Sequence, residues 1–219
     1  MDNRKRKEAR MRAGVTDQLS ARGYNIAIGG FTAYGLLLSG ILAAFLDGYI
    51  ENYVAFLVVY FISCFAGIFM AVKSNNPIVS FIGYNFVAVP IGIVVDTCIE
   101  GYMATDVAAA FIVTGLITVI MIGVAVIRPE TFQGMGRTLF ISLIVAIIGE
   151  LIAMLLGYGG DIFNWAFVVI FSLYLGYDWS TAQMYPKTID NAIDSALDIY
   201  LDIINLFLRL LEILGKKDD

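Results

Sequence analysis

Carboxylates recur every four residues near the end of the chain, in a segment that is otherwise strongly apolar. The residues are Asp190, Asp194, Asp198 and Asp202. A spacing of four places their side chains on one face of an α-helix. Two carboxylates held close together share a proton, and several carboxylate oxygens together bind hard cations such as Ca²⁺. The pattern therefore indicates proton or cation chemistry along one helical face.

From Asp198 onward the polar residues continue as a single stripe, while the other residues between Ile199 and Leu214 are apolar. The steps between successive polar residues are four, three, four and three, which is helical spacing. Lipid offers these side chains no hydrogen-bond partner, so we expect the polar seam to face protein or a water-filled cavity. The seam consists of Asp198, Asp202, Asn205, Arg209 and Glu212.

The four aspartates are expected to differ in role. Asp190 and Asp194 are interpreted as solvated residues in the first helical turns, where the helix dipole favours negative charge by about 0.3–1 kcal/mol each. Asp198 is interpreted either as a solvated residue at the start of the helix or as a functional member of the polar seam. Asp202 lies about three turns further in, where an ionised aspartate costs about 2.5–3.5 kcal/mol. It is therefore a candidate functional residue, and a structural hydrogen bond to a neighbouring helix is the alternative.

A second acid, Asp178, closes an apolar segment that reads "FSLYLGYDWS". The short connection to the last segment predicts two antiparallel helices with Asp178 and Asp202 in the same layer. Two neighbouring carboxylates resist double ionisation and titrate as one unit. The pair is predicted to sense pH and, when both acids are charged, to hold Ca²⁺ transiently.

Three further sites carry charge in or beside apolar segments. Glu150 lies in "AIIGELIAM" and either lines a cation path or bonds the last helix. Arg209 is expected to pair with Glu212 or Glu150 and to block the path from the outer side. Asp96 and Glu100 lie one helical turn apart. They form either a negatively charged entrance that concentrates cations or an ordinary solvated helix end, and the second interpretation is favoured.

Composition sets the class of protein. Hydrophobic residues make up 59% of the chain and charged residues 15%, and the mean hydropathy is +0.81. A soluble domain is less apolar and more highly charged, so the chain is predicted to be an all-α integral membrane protein. It contains no histidine and shows no catalytic triad, metal-binding motif, phosphate loop or basic nucleic-acid surface. We therefore expect neither an enzyme nor a cofactor.

Six apolar segments are long enough to cross a bilayer, which takes roughly 20 residues. The predicted spans are Tyr24–Leu46, Val54–Val72, Ile78–Val95 with a kink at Pro90, Val107–Ile127, Thr138–Leu156 and Ile162–Tyr177. A seventh is predicted to begin between Ala192 and Asp198 and to end near Leu214, either crossing fully or re-entering. This gives one membrane domain, residues 24–215, after a basic tail, residues 1–23, and before a short charged tail, residues 216–219.

Basic residues in short loops predict the orientation. Half of the 14 basic residues precede the first span, so the amino terminus is predicted to be cytoplasmic. Lys73, the Arg128–Arg137 loop and Lys187 then fall on the same side, and the charged residues in the loops on the other side are all acidic. The tail is interpreted as a topology signal, with a lipid anchor worth about 1 kcal/mol per basic residue as the alternative. Its basic residues are Arg4, Lys5, Arg6, Lys7, Arg10, Arg12 and Arg22.

Two stretches resemble the carboxyl-terminal signature of the Bax inhibitor family: "SLYLGYD" at the end of one span and "ALDIYLDIINLFLRLL" in the last. In bacterial members a tyrosine–aspartate pair is followed by a Leu-Tyr-Leu-Asp-x-x-Asn-Leu-Phe stretch, which here reads "IYLDIINLF". The resemblance implies seven spans, with the last one central and wrapped by the other six. It also implies a pH-dependent Ca²⁺ leak gated by two aspartates, a role that falls on Asp178 and Asp202.

The resulting hypothesis is a pH-sensitive cation leak channel of the cell membrane, with Ca²⁺ as the transported ion. Asp178 and Asp202 form its gate, and Asp198, Asn205, Arg209 and Glu150 line a path or seam. The alternative is a membrane-embedded regulator that binds a membrane protease or another protein without transporting ions. In that case the basic tail binds the partner, and the aspartates only fix the packing of the helices.

Overall fold

The computed structural model describes residues 10–11, 18–45, 50, 52–158 and 161–215. This part of the chain contains eight helices and no strand. They are α1 Ala21–Phe45, α2 Tyr53–Lys73, α3 Pro77–Ile99, α4 Ala104–Ile127, α5 Pro129–Gln133, α6 Gly136–Leu155, α7 Ile162–Ala182 and α8 Ile189–Leu214. Most of the basic tail, the loop around Asp47, part of the "GYGG" turn and residues 216–219 lie outside the described residues.

Six of these helices are long and apolar enough to cross a membrane: α1, α2, α3, α4, α6 and α7. They confirm the six apolar segments identified in the sequence. The structure extends several of them, and α7 runs to Ala182, so Asp178 lies within the helix and does not close it.

Helices α2 and α3 pack closely because both carry a glycine where they meet. A Cβ atom on Gly67 would collide with the Gly83 carbonyl oxygen, and a Cβ on Gly83 would collide with that of Gly67. Helix α3 continues through Pro90, which has no N–H to donate to the Phe86 carbonyl one turn earlier. Ser63 Oγ on α2 donates to that carbonyl at 2.5 Å instead. The predicted kink at Pro90 stays a prediction.

The chain divides into two compact units. The first contains residues up to 100 together with residues 182–200, and the second contains residues 101–181 and those from 201 onward. Helix α8 contributes residues 189–200 to the first unit and residues 201–214 to the second. Each unit therefore holds its own part of the polar seam.

Helix α8 is the most enclosed of the long helices. Every side chain from Asp190 to Leu211 is buried or half-buried, whereas the six apolar helices expose many large hydrophobic side chains. The helix begins at Ile189, where Thr188 Oγ1 accepts a hydrogen bond from the Asn191 backbone N–H at 3.2 Å. That contact satisfies one of the free N–H groups of the first turn.

Candidate functional site

The first turns of α8 are buried, which overturns the interpretation of Asp190 and Asp194 as solvated residues. Each is 3% exposed. Ser80 Oγ on α3 donates to Asp190 Oδ1 at 2.6 Å. Asp190 precedes the predicted start of the seventh span, and burial raises its pKa, while the Ser80 hydrogen bond and the positive charge of Arg10 act in the opposite direction.

Arg10 places a positive charge against two of these buried or half-buried acids. Its Nη1 lies 3.1 Å from Asp198 Oδ2, and its Nε lies 3.6 Å from Asp194 Oδ2. Its Nη2 donates to Ser195 Oγ at 2.8 Å and to the Asn191 carbonyl oxygen at 3.1 Å. We call these five residues the Arg10 cluster. The cluster shows the role of Asp198, which pairs with an arginine in the first unit.

Aromatic and backbone contacts enclose the Arg10 cluster. The guanidinium carbon of Arg10 lies 4.3 Å from the centroid of the Tyr185 ring, and Asn191 Nδ2 donates to the Arg10 carbonyl oxygen at 3.1 Å. The Tyr24 hydroxyl lies 3.3 Å from Ser195 Oγ, and Lys187 Nζ lies 4.7 Å from the Tyr24 ring centroid. Burial lowers the pKa of Lys187. An arginine is a suitable centre for such a site because its charge persists and its donors fan out in a plane.

A second arginine organises the last turns of α8. Arg209 Nη1 and Nη2 bind the two oxygens of Glu150 at 2.6 and 2.9 Å. Nη1 also donates to Asn164 Oδ1 at 2.8 Å, and it lies 3.6 Å from Glu212 Oε2. The guanidinium carbon is 4.1 Å from the Phe167 ring centroid. We call Arg209, Glu150 and Asn164 the Arg209 cluster.

The Arg209 cluster settles two sequence predictions. Arg209 pairs with both predicted partners, and of the two roles left open for Glu150 the structure shows the bond to the last helix. Asn164 was not among the predicted partners. Its only signal is that it is the single polar residue in the otherwise apolar stretch "IFNWAF".

Asp178 and Asp202 both belong to the second unit and share a neighbour. Asp202 is 6% exposed and Asp178 is half-buried. Both carboxylates lie within electrostatic range of the Tyr174 hydroxyl. Tyr174 precedes Asp178 by one turn of α7 and was not identified from the sequence. The structure thus brings both predicted gate residues to the surroundings of one phenol group.

The remaining predicted residues have local roles. Asn205 Nδ2 donates to the Leu201 carbonyl oxygen of its own helix at 2.7 Å. Asp96 is buried at the end of α3, so the solvated-end interpretation is wrong for it, whereas Glu100 is exposed. Within the described residues, no group of three or more His, Cys, Asp or Glu side chains is arranged to hold a metal ion.

Comparison with known proteins gives one family and several bacterial relatives. A family model described as "Inhibitor of apoptosis-promoting Bax1" matches residues 22–219. An uncharacterized protein of Helicobacter pylori is 35% identical over 108 residues, which is 48% of this chain and 44% of the relative. An uncharacterized protein of Campylobacter jejuni is 34% identical over 115 residues, 49% of this chain and 47% of the relative. The chain therefore spans less than half the length of these relatives.

Proposed function

This chain belongs to the Bax inhibitor family, and on that premise we propose that it is a pH-sensitive cation leak channel. Ca²⁺ is the proposed ion, and Asp178 and Asp202 are the proposed gate. One observation carries the proposal more than any other: Asp202 is only 6% exposed in a helix rich in apolar residues, and Asp178 is half-buried in the same compact unit. An intramembrane acid in such surroundings is a candidate functional group by default.

The gating scheme follows from the chemistry of paired acids. At low pH the two carboxyl groups share a proton, which removes their repulsion and keeps α7 and α8 together. At higher pH the shared proton is lost, and two negative charges remain in a region that is poor in water. Their repulsion loosens α8 and admits cations, whose charge compensates for the loss of the proton.

The proposed channel includes a seventh span that begins within α8 between Ala192 and Asp198, ends near Leu214 and is wrapped by the other helices. The burial of α8 from Asp190 to Leu211 supports this arrangement, because a helix with so many charges is unstable against lipid. We propose the cell membrane as its location, with the amino terminus in the cytoplasm. The proposal includes no catalytic activity and no resident cofactor, with Ca²⁺ as cargo.

A liposome assay tests the proposed function. Purified protein is reconstituted into vesicles that contain a Ca²⁺-sensitive dye, and Ca²⁺ influx is followed between pH 5 and pH 8. We expect wild-type flux to rise with pH, and D178N and D202N to lose at least three-quarters of that pH response. Asp161 is an exposed acid outside the helices, so D161N is the matched control. An unchanged pH response in D202N would rule out the gating scheme.

The regulator hypothesis receives less support from the geometry. In this hypothesis the basic tail binds a protein partner, but Arg10 of that tail forms ion pairs with Asp194 and Asp198 of its own chain. The same liposome assay distinguishes the two hypotheses, since a regulator without transport gives no Ca²⁺ flux at any pH.

A further inference from the structure

The segment that joins α4 to α6 packs against α7 through the buried ring of Phe132. This side chain is only 3% exposed, although it lies in the short helix α5. A Cβ atom at Gly176 of α7 would collide with the Phe132 ring and would lie 2.6 Å from its Cδ1 atom. Gly176 therefore leaves the space that the ring fills. We call residues 129–136 the α5 corner.

A second contact between the same two segments runs in the opposite direction. A Cβ atom at Gly136 would collide with the Tyr177 hydroxyl and would lie 2.6 Å from Tyr177 Cζ. The α5 corner thus places a ring beside a glycine of α7, and α7 places a ring beside a glycine of the corner. Because Gly176 and Tyr177 are consecutive residues, the two contacts together fix the α5 corner on one short stretch of α7.

Asp178, one of the two proposed gate residues, follows Gly176 by two positions in α7. Residues two positions apart lie about 200° apart around the axis of an α-helix. The Phe132 ring therefore packs on the face of α7 that is nearly opposite to the Asp178 side chain. Phe132, Asp178 and Asp202 all belong to the second unit.

The proposed gate requires the Asp178 end of α7 to separate from α8. The other end of α7 is bound to α8, because Asn164 Oδ1 accepts a hydrogen bond from Arg209 Nη1 at 2.8 Å. Asp178 lies about 20 Å further along α7. Repulsion between Asp178 and Asp202 pushes this end of α7 away from α8 and toward the Phe132 ring. A close-packed ring at that place resists the displacement, because a packed interior offers little free space.

We propose that Phe132 is a positioning residue of the gate, which supports α7 on the face opposite Asp178 and sets the pH at which α7 separates from α8. The inference rests on the proposed leak function, since only a gate that opens with pH has such a midpoint. Its effect is steric, because the ring carries no charge and its removal leaves every ionisable group in place. These groups are Tyr174 and Tyr177 on α7, Asp202 on α8, and the exposed Arg128, Glu130 and Arg137 in or beside the α5 corner.

A flux experiment with the full-length protein in liposomes tests the inference. F132A is expected to leak Ca²⁺ with a midpoint about 0.5 pH unit below that of the wild type, because a smaller repulsion then suffices to displace α7. F132L keeps much of the bulk, and its midpoint is expected to shift in the same direction by a smaller amount. Phe140 of α6 is exposed, so F140A is the matched control and should keep the wild-type midpoint.

The outcomes of this experiment separate the inference from the proposed function. A pH-dependent leak whose midpoint in F132A and F132L is equal to or above that of the wild type would overturn the inference and leave the proposed function intact. Absence of a pH-dependent leak from the wild type would overturn both.

A size exchange distinguishes the support of α7 from a general loss of stability. In F132A/G176L a side chain on α7 occupies the space that the ring has left. We expect the exchange to return the midpoint at least halfway to the wild-type value, since the contact between the α5 corner and α7 is restored. A double variant that keeps the midpoint of F132A would overturn the inference.

Discussion

Arg209 holds both oxygens of the Glu150 carboxylate in a two-pronged ion pair, with Nη1 to Oε1 at 2.6 Å and Nη2 to Oε2 at 2.9 Å. The pair connects the last turns of α8 to α6 inside a segment rich in apolar residues. Such fork-to-fork geometry is stronger than a single hydrogen bond and fixes the orientation of both side chains.

Removal of one partner of this pair is expected to destabilise the protein. E150Q leaves Arg209 partly buried with only the more distant carboxylate of Glu212, and we expect the free energy of unfolding to fall by about 1–3 kcal/mol. The measurement is reversible unfolding in mixed detergent micelles. E130Q, at an exposed glutamate of α5, is the control and should stay within about 0.5 kcal/mol of the wild type.

A double-mutant cycle separates the pair from its surroundings. If Arg209 and Glu150 stabilise each other, the combined effect of E150Q and R209Q is smaller than the sum of the separate effects. Additive effects would show that the observed contact contributes nothing specific to stability.

Substitution of Gly35 by alanine is predicted to cause a steric clash, and Gly40 in the same helix provides the control. A Cβ atom at Gly35 would collide with the Tyr84 hydroxyl and lie 2.9 Å from Tyr200 Cδ2. We expect G35A to lower the free energy of unfolding by about 1–3 kcal/mol, as overpacking does. A Cβ at Gly40 meets no atom of the described residues within 4 Å, so G40A should have little effect or stabilise α1. Equal stability of G35A and G40A would contradict the packing of α1 against α3 and α8.

The burial of Asp190 predicts that the stability of the protein depends on pH. Burial raises its pKa in the folded state above the unfolded value of about 3.9, so the folded protein binds the proton more tightly. The stability contributed by that proton is present below pH 4 and is lost as the pH rises through the raised pKa. D190N carries no charge, and its amide oxygen still accepts from Ser80, so it should lose less stability between pH 4 and pH 7 than the wild type.

Thermal unfolding at a series of pH values checks this expectation. D161N, at an exposed acid, is the control and should retain the wild-type profile. If D190N and the wild type lose stability in parallel across the range, the buried environment assigned to Asp190 is wrong.

Features encoded by local sequence were predicted well. Each of the six apolar helices carries its own hydropathy signal, so no knowledge of its neighbours was needed. The pairing of Arg209 with Glu150 and Glu212 was predicted because Arg209 lies on a polar seam in an apolar segment, where few partners are available.

Features that depend on distant contacts were missed. Asp190 and Asp194 look like ordinary acids at the start of a helix, and their burial depends on Arg10 and Ser80, each more than 100 residues away in sequence. The shared electrostatic surroundings of Tyr174 and Asp202 depend in the same way on residues of two different helices. Amino-acid spacing within one helix contains no information about such partners.

The proposed gate requires a proton that is shared by Asp178 and Asp202. Infrared difference spectroscopy measures the carbonyl stretch of protonated carboxyl groups as the pH is lowered, in wild type, D178N and D202N. We predict one coupled titration in the wild type that is lost or strongly shifted in both variants, because each acid sets the pKa of the other. If the two variants each remove an independent band and leave the titration of the other acid unchanged, the two acids share no proton and the proposed gate is wrong.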